Sequence, residues 1–430
     1  MTREFSLIML LISISAMLAL SGCSINNKVQ SASADQPVEE SIEKHDTQEE
    51  VLPEYVEINI TAVGDVMVHG PQLKAQFNKE NNAHDFRNNF QHIKSYINKA
   101  DLALCNLETT FSGEDKQYSG YPKFNAPDSL GDALKDAGFD VVVTANNHSI
   151  DLGTHGVDRT LSVLKNLGLQ PVGTKADTAE DNFIITEVKG VKVGIIAYTY
   201  ETPKYHGKGT INALVIPQEV EDRINTFSYD DLDIQLSLMK TEIDNMKSRG
   251  AEVLIFYMHW GNEYHIKPNE YQKNIAQALC EYGVDIIFGS HPHVVQPIEI
   301  LKSQDNNNTT LVAYSMGNIL SNQRYEILKK RHTEDGIIVN ATIKKNFKTN
   351  AINLEKVTFI PTWVHKYKHQ GKNVYEIIPL HQGVNQDLFK LSTNNLWRAE
   401  NSKNNTLEIV DSEVNNETNI PIAMENSAPL

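Results

Sequence analysis

Six short apolar runs, each passing directly into a loop of acidic, amide or imidazole side chains, constrain this chain more than any other feature. Val56–Val63 precedes Gly64-Asp65-Val66-Met67-Val68-His69. Asp101–Cys105 precedes Asn106-Leu107-Glu108, and Asp140–Thr144 precedes Asn146-Asn147-His148-Ser149-Ile150-Asp151. Val253–Met258 leads into His259-Trp260-Gly261 and Asp285–Phe288 into Gly289-Ser290-His291-Pro292-His293-Val294-Val295-Gln296. Leu311–Tyr314 leads into Ser315-Met316-Gly317-Asn318. Runs of this length, rich in β-branched residues, read as buried strands. Helical spacing lies between most of them: 86–100 (Phe90, Ile93, Ile97), the stretch opened by Pro127 and closed by Gly138, Val157–Leu167, Ile234–Ser248 and Glu270–Tyr282. Val191–Tyr198 is a further strand. Strands alternating with helices predict an α/β fold. The closing runs Gly336–Ile343 and Val357–Ile360, with a hairpin expected in 362–380, make part of it antiparallel. The irregular stretch 201–232 is too long for a simple connection and reads as a lid or variable insertion.

The ends of the chain differ from its body. Arg3 precedes an apolar run from Phe5 to Leu20, which is short for a membrane-spanning helix and reads as a targeting segment. It ends in Leu20-Ser21-Gly22-Cys23, which resembles the bacterial lipobox, where the cysteine is acylated and becomes the mature N-terminus. Two acyl-type signals suffice for stable anchoring. The expected division is therefore a lipoprotein signal at 1–23, a flexible acidic tether at 24–54, one domain at 55–385, and a tail at 386–430 that is largely disordered, wholly so past about Glu400. The net charge of −16 belongs mostly to the ends: 24–54 carries −6 and 399–430 carries −5. No basic patch or run points to nucleic acid, so that partner is excluded. Cys105 and Cys280 read as small buried thiols, although an oxidising compartment would allow them to pair.

Each polar loop has an ordinary explanation on its own. Asp65 would cap a helix, Glu108 would be a solvated acid, and His259 would pack beside Trp260. Six such loops ending six strands are harder to explain as caps, because the crevice at strand C-termini is where α/β folds build sites. Imidazole and carboxylate donors suit Mn, Zn, Fe or Ni, as one ion or two. Two ions about 3.5–4 Å apart clamp an attacking and a leaving oxygen. The candidate ligands are Asp65, Glu108, Asn147, His259, His291 and His293. His148 would serve as the proton donor to a leaving group, oriented by Asp151. Asn106, Gln296, Ser315 and Asn318 are the candidate substrate contacts.

These loops, in this order and spacing, resemble the CapA family of poly-γ-glutamate capsule synthesis proteins over roughly 55–320. The resemblance implies a calcineurin-like metallophosphatase fold, a central β-sandwich flanked by helices, in a membrane-anchored extracytoplasmic protein. It also implies an anionic polymer substrate and other capsule synthase or exporter subunits as partners. Two departures stand out. Metallophosphatases open with Asp-x-His, whereas position 67 is Met and His69 falls two residues late. Their second motif is Gly-Asp-x-x-Asp, whereas Glu108 stands in Asn-Leu-Glu. Three functions follow: a metal-dependent hydrolase of a phosphoester or polyglutamate amide, a non-catalytic polymer-binding component, or a role with another envelope polymer. Any local grip on a polyanion would fall to the metal or to Lys123, Lys204 and Lys208, which otherwise read as solvated charges.

The lipobox reading sets a first expected outcome. The full chain should incorporate labelled fatty acid and sediment with membranes, and Cys23→Ser should lose both. Label retained by the Cys23→Ser protein would refute it.

Overall fold

The computed structural model describes residues 54–381, 383–411 and 420–425. Cys23 and nearly all of the 24–54 tether lie outside the described residues. Among the described residues no helix is long and apolar enough to cross a membrane.

Two large sheets organise the domain. The first contains β1 (Tyr55–Val66), β2 (Leu102–Leu107), β3 (Val141–Val143) and β4 (Gln170–Val172), all parallel. The second is built on β6 (Val191–Tyr200), β7 (Val253–His259), β8 (Ile286–Ser290) and β10 (Thr309–Ala313), also parallel. Its antiparallel edges are β5 (Phe183–Val188) and β9 (Ile298–Lys302). The chain then returns to the first sheet. Short β11 (Asn318–Leu320) pairs with the end of β1, and β12 (Asp335–Asn346), β13 (Ile352–His369) and β14 (Lys372–Pro379) add an antiparallel half. The hairpin expected in 362–380 is the β13–β14 pair.

Side-chain alternation fixes how the sheets stack. Ile58, Ile60 and Ala62 of β1 and Val253, Ile255 and Tyr257 of β7 point into one apolar layer between the sheets. Val63 and Val66 point the other way, onto α2 (Ser129–Ala137), which buries Leu130, Ala133, Leu134 and Ala137. Leu254, Phe256 and Met258 face α4 (Leu232–Ser248) and α5 (Glu270–Glu281). The result is the expected central β-sandwich flanked by helices. Residue 138 is indeed the left-handed cap of α2, at φ +104°. The helix expected around 157–167 starts earlier, as α3 (Gly153–Asn166). Cys105 and Cys280 are unpaired and buried.

Three expectations need correction. The single helix expected over 86–100 is two separate turns, Arg87–Phe90 and Lys94–Ile97. The side chains of Asn89 and Gln91 bond instead to Tyr375 and Glu376 of β14. The 201–232 stretch is more ordered than an irregular lid. Thr202–Tyr205, Lys208–Ile211 and Leu214–Val215 form a small antiparallel sheet. Ile211, Ile216, Val220 and Ile224 anchor that region to Ile150, Val157 and Leu161. The described part of the 386–430 tail is ordered beyond Glu400. Helix α6 (Thr393–Asp411) packs along β13, and β15 (Ile422–Met424) pairs with it. Polar residues hold the helix: Ser402 Oγ donates to Asp335 Oδ1 at 2.6 Å, and Arg398 pairs with Glu334 at 2.6 Å. A polar helix of this kind has little apolar periodicity to read in advance.

His365 of β13 marks this docking. It is fully buried between Trp363 and Tyr367, stacked at 5.4 and 4.6 Å, and the Asn395 amide of α6 donates to its Nε2 at 3.2 Å. Burial holds its pKa down at about 4. The unfolded chain therefore takes up a proton below about pH 6.5 that the folded chain refuses until about pH 4. Stability is lost as pH falls through that window. Urea midpoints should drop from pH 6.5 to 4.5, and His365→Gln should flatten that slope by up to about 1.4 kcal/mol per pH unit. An unchanged slope would refute this.

Candidate metal centre

The parallel strands of both sheets end at the same edge, and their terminal residues meet there. Two close approaches require glycine. A Cβ on Gly64 would lie 2.0 Å from the Gly317 carbonyl, and one on Gly289 would lie 2.1 Å from the Tyr314 carbonyl. The first lets Asp65 N–H donate to Gly317 O at 2.9 Å, carrying β1 into the crevice. Tyr257 Oη donates to Val63 O at 2.8 Å and ties β7 to the same point.

All six predicted ligands come together, and each is under 4% exposed. His259 and His293 are oriented by their second nitrogen. His259 Nδ1 lies 2.9 Å from Ser290 Oγ, so Nε2 faces Asn147 Oδ1 at 3.0 Å and Glu108 Oε1 at 3.9 Å. His293 Nδ1 lies 3.0 Å from Asp65 Oδ2 and 3.2 Å from Asn318 Oδ1, so Nε2 faces Glu108 Oε1 at 3.6 Å. Glu108 Oε1 is thus at the centre of the shell, buried, and has no hydrogen-bond partner. His291 Nδ1 is likewise buried without a partner. The backbone carrying these imidazoles is held at φ +97° for His291 and +56° for His293. Residues other than glycine adopt that region uncommonly, and ligand clamps are where such strain collects.

The electrostatics fit a cation. Burial alone would raise the Asp65 pKa, but hydrogen bonding and charge from His293, with the Asn106 amide, hold it below the usual carboxylate range. Asp65 in turn raises the His293 pKa against burial. Glu108 receives only a long bond from the Asn106 amide, 3.5 Å to Oε2. Burial and the nearby Asp65 charge push its pKa well above normal. Burial and neighbouring imidazoles keep His259 and His291 neutral, the latter with a pKa lowered to about 3. Two neutral imidazoles, an amide oxygen and an uncompensated carboxyl oxygen are the donors a divalent transition ion takes. Asp65, Glu108 and His293 have donor atoms within 4.8 Å of one another, as do Glu263, His291 and His293. Asp65 already engages both oxygens, accepting from Asn106 Nδ2 at 2.8 Å as well as facing His293.

His148 and Asp151 form the expected pair, with Nδ1 2.8 Å from Oδ2, and both are buried. Phe124 N–H also donates to Asp151 Oδ2 at 2.7 Å, and the Phe124 ring meets the His148 ring edge-on at 4.6 Å. Of the four candidate substrate contacts, Asn106 and Asn318 bond to the candidate ligands Asp65 and His293, and Gln296 and Ser315 bond to the neighbouring loops. Asn106 and Asn146 brace the ligand loops, with Asn146 Nδ2 donating to Asn106 Oδ1 at 3.0 Å. Ser315 Oγ donates to Val294 O, Asn318 holds the His293 ring, and Gln296 Nε2 donates to His265 O and Lys267 O. All four are fully buried and make hydrogen bonds within the protein. His69 does not replace the missing histidine at 67. Its N–H donates to Gln72 Oε1 at the start of α1 (Gly70–Gln76), and its Nδ1 lies 3.3 Å from Asn322 N–H. Sequence reading missed Glu263, which follows His259-Trp260-Gly261 by two residues, and that short spacing was the available signal.

This two-sheet α/β frame, with a buried imidazole and carboxylate shell at its crevice, defines a protein with a candidate divalent-metal centre. The chain belongs to the bacterial capsule synthesis protein family PGA_cap, whose family model matches residues 59–323. It is 29% identical over 294 residues to the capsule biosynthesis protein CapA of Bacillus anthracis, covering 67% of this chain and 64% of that protein. It is 27% identical over 280 residues to the PGA biosynthesis protein CapA of Bacillus subtilis strain 168, covering 63% of this chain and 66% of that one. The chain thus spans just under two thirds of the length of both relatives. It also aligns with the crystal structure of a calcineurin-like phosphoesterase from Bacillus subtilis at 14% identity and a TM-score of 0.39, over 82% of this chain and 98% of that one.

Glu108→Gln separates the metal function from the fold. It should weaken Mn2+ binding, measured by calorimetry, by roughly 100-fold. The same change should raise the urea midpoint of metal-free protein at pH 7. The folded Glu108 pKa lies above the unfolded value, so stability is lost as pH rises past about 4.5, and glutamine removes that loss. Unchanged Mn2+ affinity would refute the central role of Glu108.

Proposed function

We propose that this chain is an extracytoplasmic, lipid-anchored metalloprotein that engages an anionic envelope polymer, of the poly-γ-glutamate kind, during its synthesis or export. The observation that carries the reading is the convergence of Glu108, Asn147, His259, His291 and His293 in one buried shell of a capsule-synthesis family protein. A bound divalent ion would polarise a carboxylate, amide or phosphoryl oxygen. Cys23 supplies the anchor in this reading, and partner subunits of a synthase or exporter would act on the same polymer.

Charge beside the site supports a polyanion. The short run Lys329-Lys330-Arg331 escaped notice as a basic patch in the sequence. All three are exposed, and none pairs with a carboxylate among the described residues. Lys330 Nζ lies 5.7 Å from the Tyr264 ring centroid, and Tyr264 lies 6.2 Å from the His293 ring. Lys329 and Arg331 flank Tyr325 at 5.7 and 5.9 Å. Lys123 is exposed beside Phe124, which touches His148. Lys204 and Lys208 are exposed on the small sheet. Cations on aromatic faces present a charged edge that a carboxylate chain can follow.

A second reading, a metal-dependent hydrolase, rests on His148. Asp151 fixes its ring through Nδ1. The other nitrogen is then the one available to protonate a leaving amine or alkoxide, while Phe124 shields the pair from water.

Two measurements on the full chain separate these readings. Replacing Lys329, Lys330 and Arg331 by serine should weaken poly-γ-glutamate binding at least tenfold and reduce its salt dependence. Unchanged affinity would overturn the polyanion reading. Shortening of poly-γ-glutamate by metal-loaded protein, abolished in His148→Ala, would establish the hydrolase. Polymer of unchanged length would leave binding as the function.

A further inference from the structure

We propose that Glu263 is a metal ligand, the solvent-side one, beside His291 and His293. The inference rests on the metal-centre reading and adds a ligand to it. A thioether is a poor donor for a hard divalent ion. Met67 is buried, with its N–H bonded to Leu320 O at 2.7 Å and its carbonyl accepting from Gln72 Nε2 at 3.2 Å. His69 is committed to the start of α1. The β1 loop therefore contributes Asp65 alone, and both oxygens of Asp65 are already engaged.

Glu263 approaches from the opposite sheet. Its carboxylate has an oxygen within 4.8 Å of donor nitrogens on both His291 and His293. The second observation is His291 Nδ1, which is buried and unpartnered on a ring only 3% exposed. A buried imidazole nitrogen left without a partner costs stability unless a ligand takes it. Glu263 is the only exposed member of that triad. It forms no ion pair with lysine or arginine among the described residues.

The loop that carries Glu263 is held in place. Gly261 N–H donates to Tyr229 Oη at 3.0 Å, and Tyr264 N–H donates to Pro292 O at 2.7 Å, inside the histidine loop itself. Gln296 Nε2 pins the carbonyls of His265 and Lys267 at 2.7 and 3.1 Å. Tyr264 is at φ +66°, so the chain turns sharply just after Glu263. A carboxylate presented this way, on an anchored loop at the open side of a buried shell, is suited to coordinate an ion and to yield its position to an incoming oxygen ligand.

The test is Mn2+ binding to the full chain, followed by calorimetry and by electron paramagnetic resonance, with urea midpoints checking the fold. Glu263→Gln is exposed and should fold as the wild type does. It should bind Mn2+ at least tenfold more weakly or lose one ion of stoichiometry, with a changed resonance spectrum. Wild-type affinity, stoichiometry and spectrum in Glu263→Gln would overturn the inference while leaving the metal centre standing. Failure of the wild type to bind Mn2+ would overturn both.

Discussion

Two apolar sheet faces pressed together set the position of everything functional in this protein. Ile58, Ile60, Ala62, Val253, Ile255 and Tyr257 fill one continuous layer, and full burial of each large side chain contributes about 1.5–3 kcal/mol. Within each sheet the central strands are parallel, so all their carboxyl ends fall on one edge. Closing the sandwich brings the two edges together. Gly64 allows the last ångströms of approach, because any side chain there would meet the Gly317 carbonyl oxygen. The ligand loops inherit their geometry from this packing.

That edge is also where the fold gives up stability. Asp65 and His293 neutralise one another inside the protein, and Asn106 and Asn146 satisfy the remaining neighbours. Glu108 has no such compensation. Its Oε1 is buried without a hydrogen bond, and burial beside the Asp65 charge raises its pKa and so favours the protonated form. Left-handed backbone at His291 and His293 adds strain at the same place. Buried orphan oxygens and nitrogens beside strained backbone mark a site shaped for a ligand more than for its own stability.

Much of this was legible in the sequence because strand ends are easy to find. Asp65, Glu108, Asn147, His259, His291 and His293 each follow an apolar run closely, so their convergence could be anticipated from α/β geometry. The roles of Asn106, Gln296, Ser315 and Asn318 could not. Their types suit substrate contacts, and only the tertiary structure shows the hydrogen bonds they make within the protein. Glu263 lies in a loop without periodicity, where spacing says nothing about which side chain turns back towards the crevice. Helix α6 was hidden for a related reason: its polar residues look solvated until Asp335, Glu334 and His365 are seen as their partners. Lys329, Lys330 and Arg331 form too short a run to stand out, and only the tertiary structure shows Lys330 over the ring of Tyr264, which itself lies 6.2 Å from the His293 ring.

The sequence by itself determined the α/β class, the strand order along the chain and the identity of the donors, because alternation of apolar side chains and the residues that end strands are local properties. The tertiary structure decided which donors face one another, how each imidazole is oriented, and which carboxylate oxygen is left without a hydrogen bond. Those outcomes depend on contacts between residues 40 to more than 200 positions apart, such as Asn106 with Asp65 and His293 with Asp65, and no local pattern encodes them.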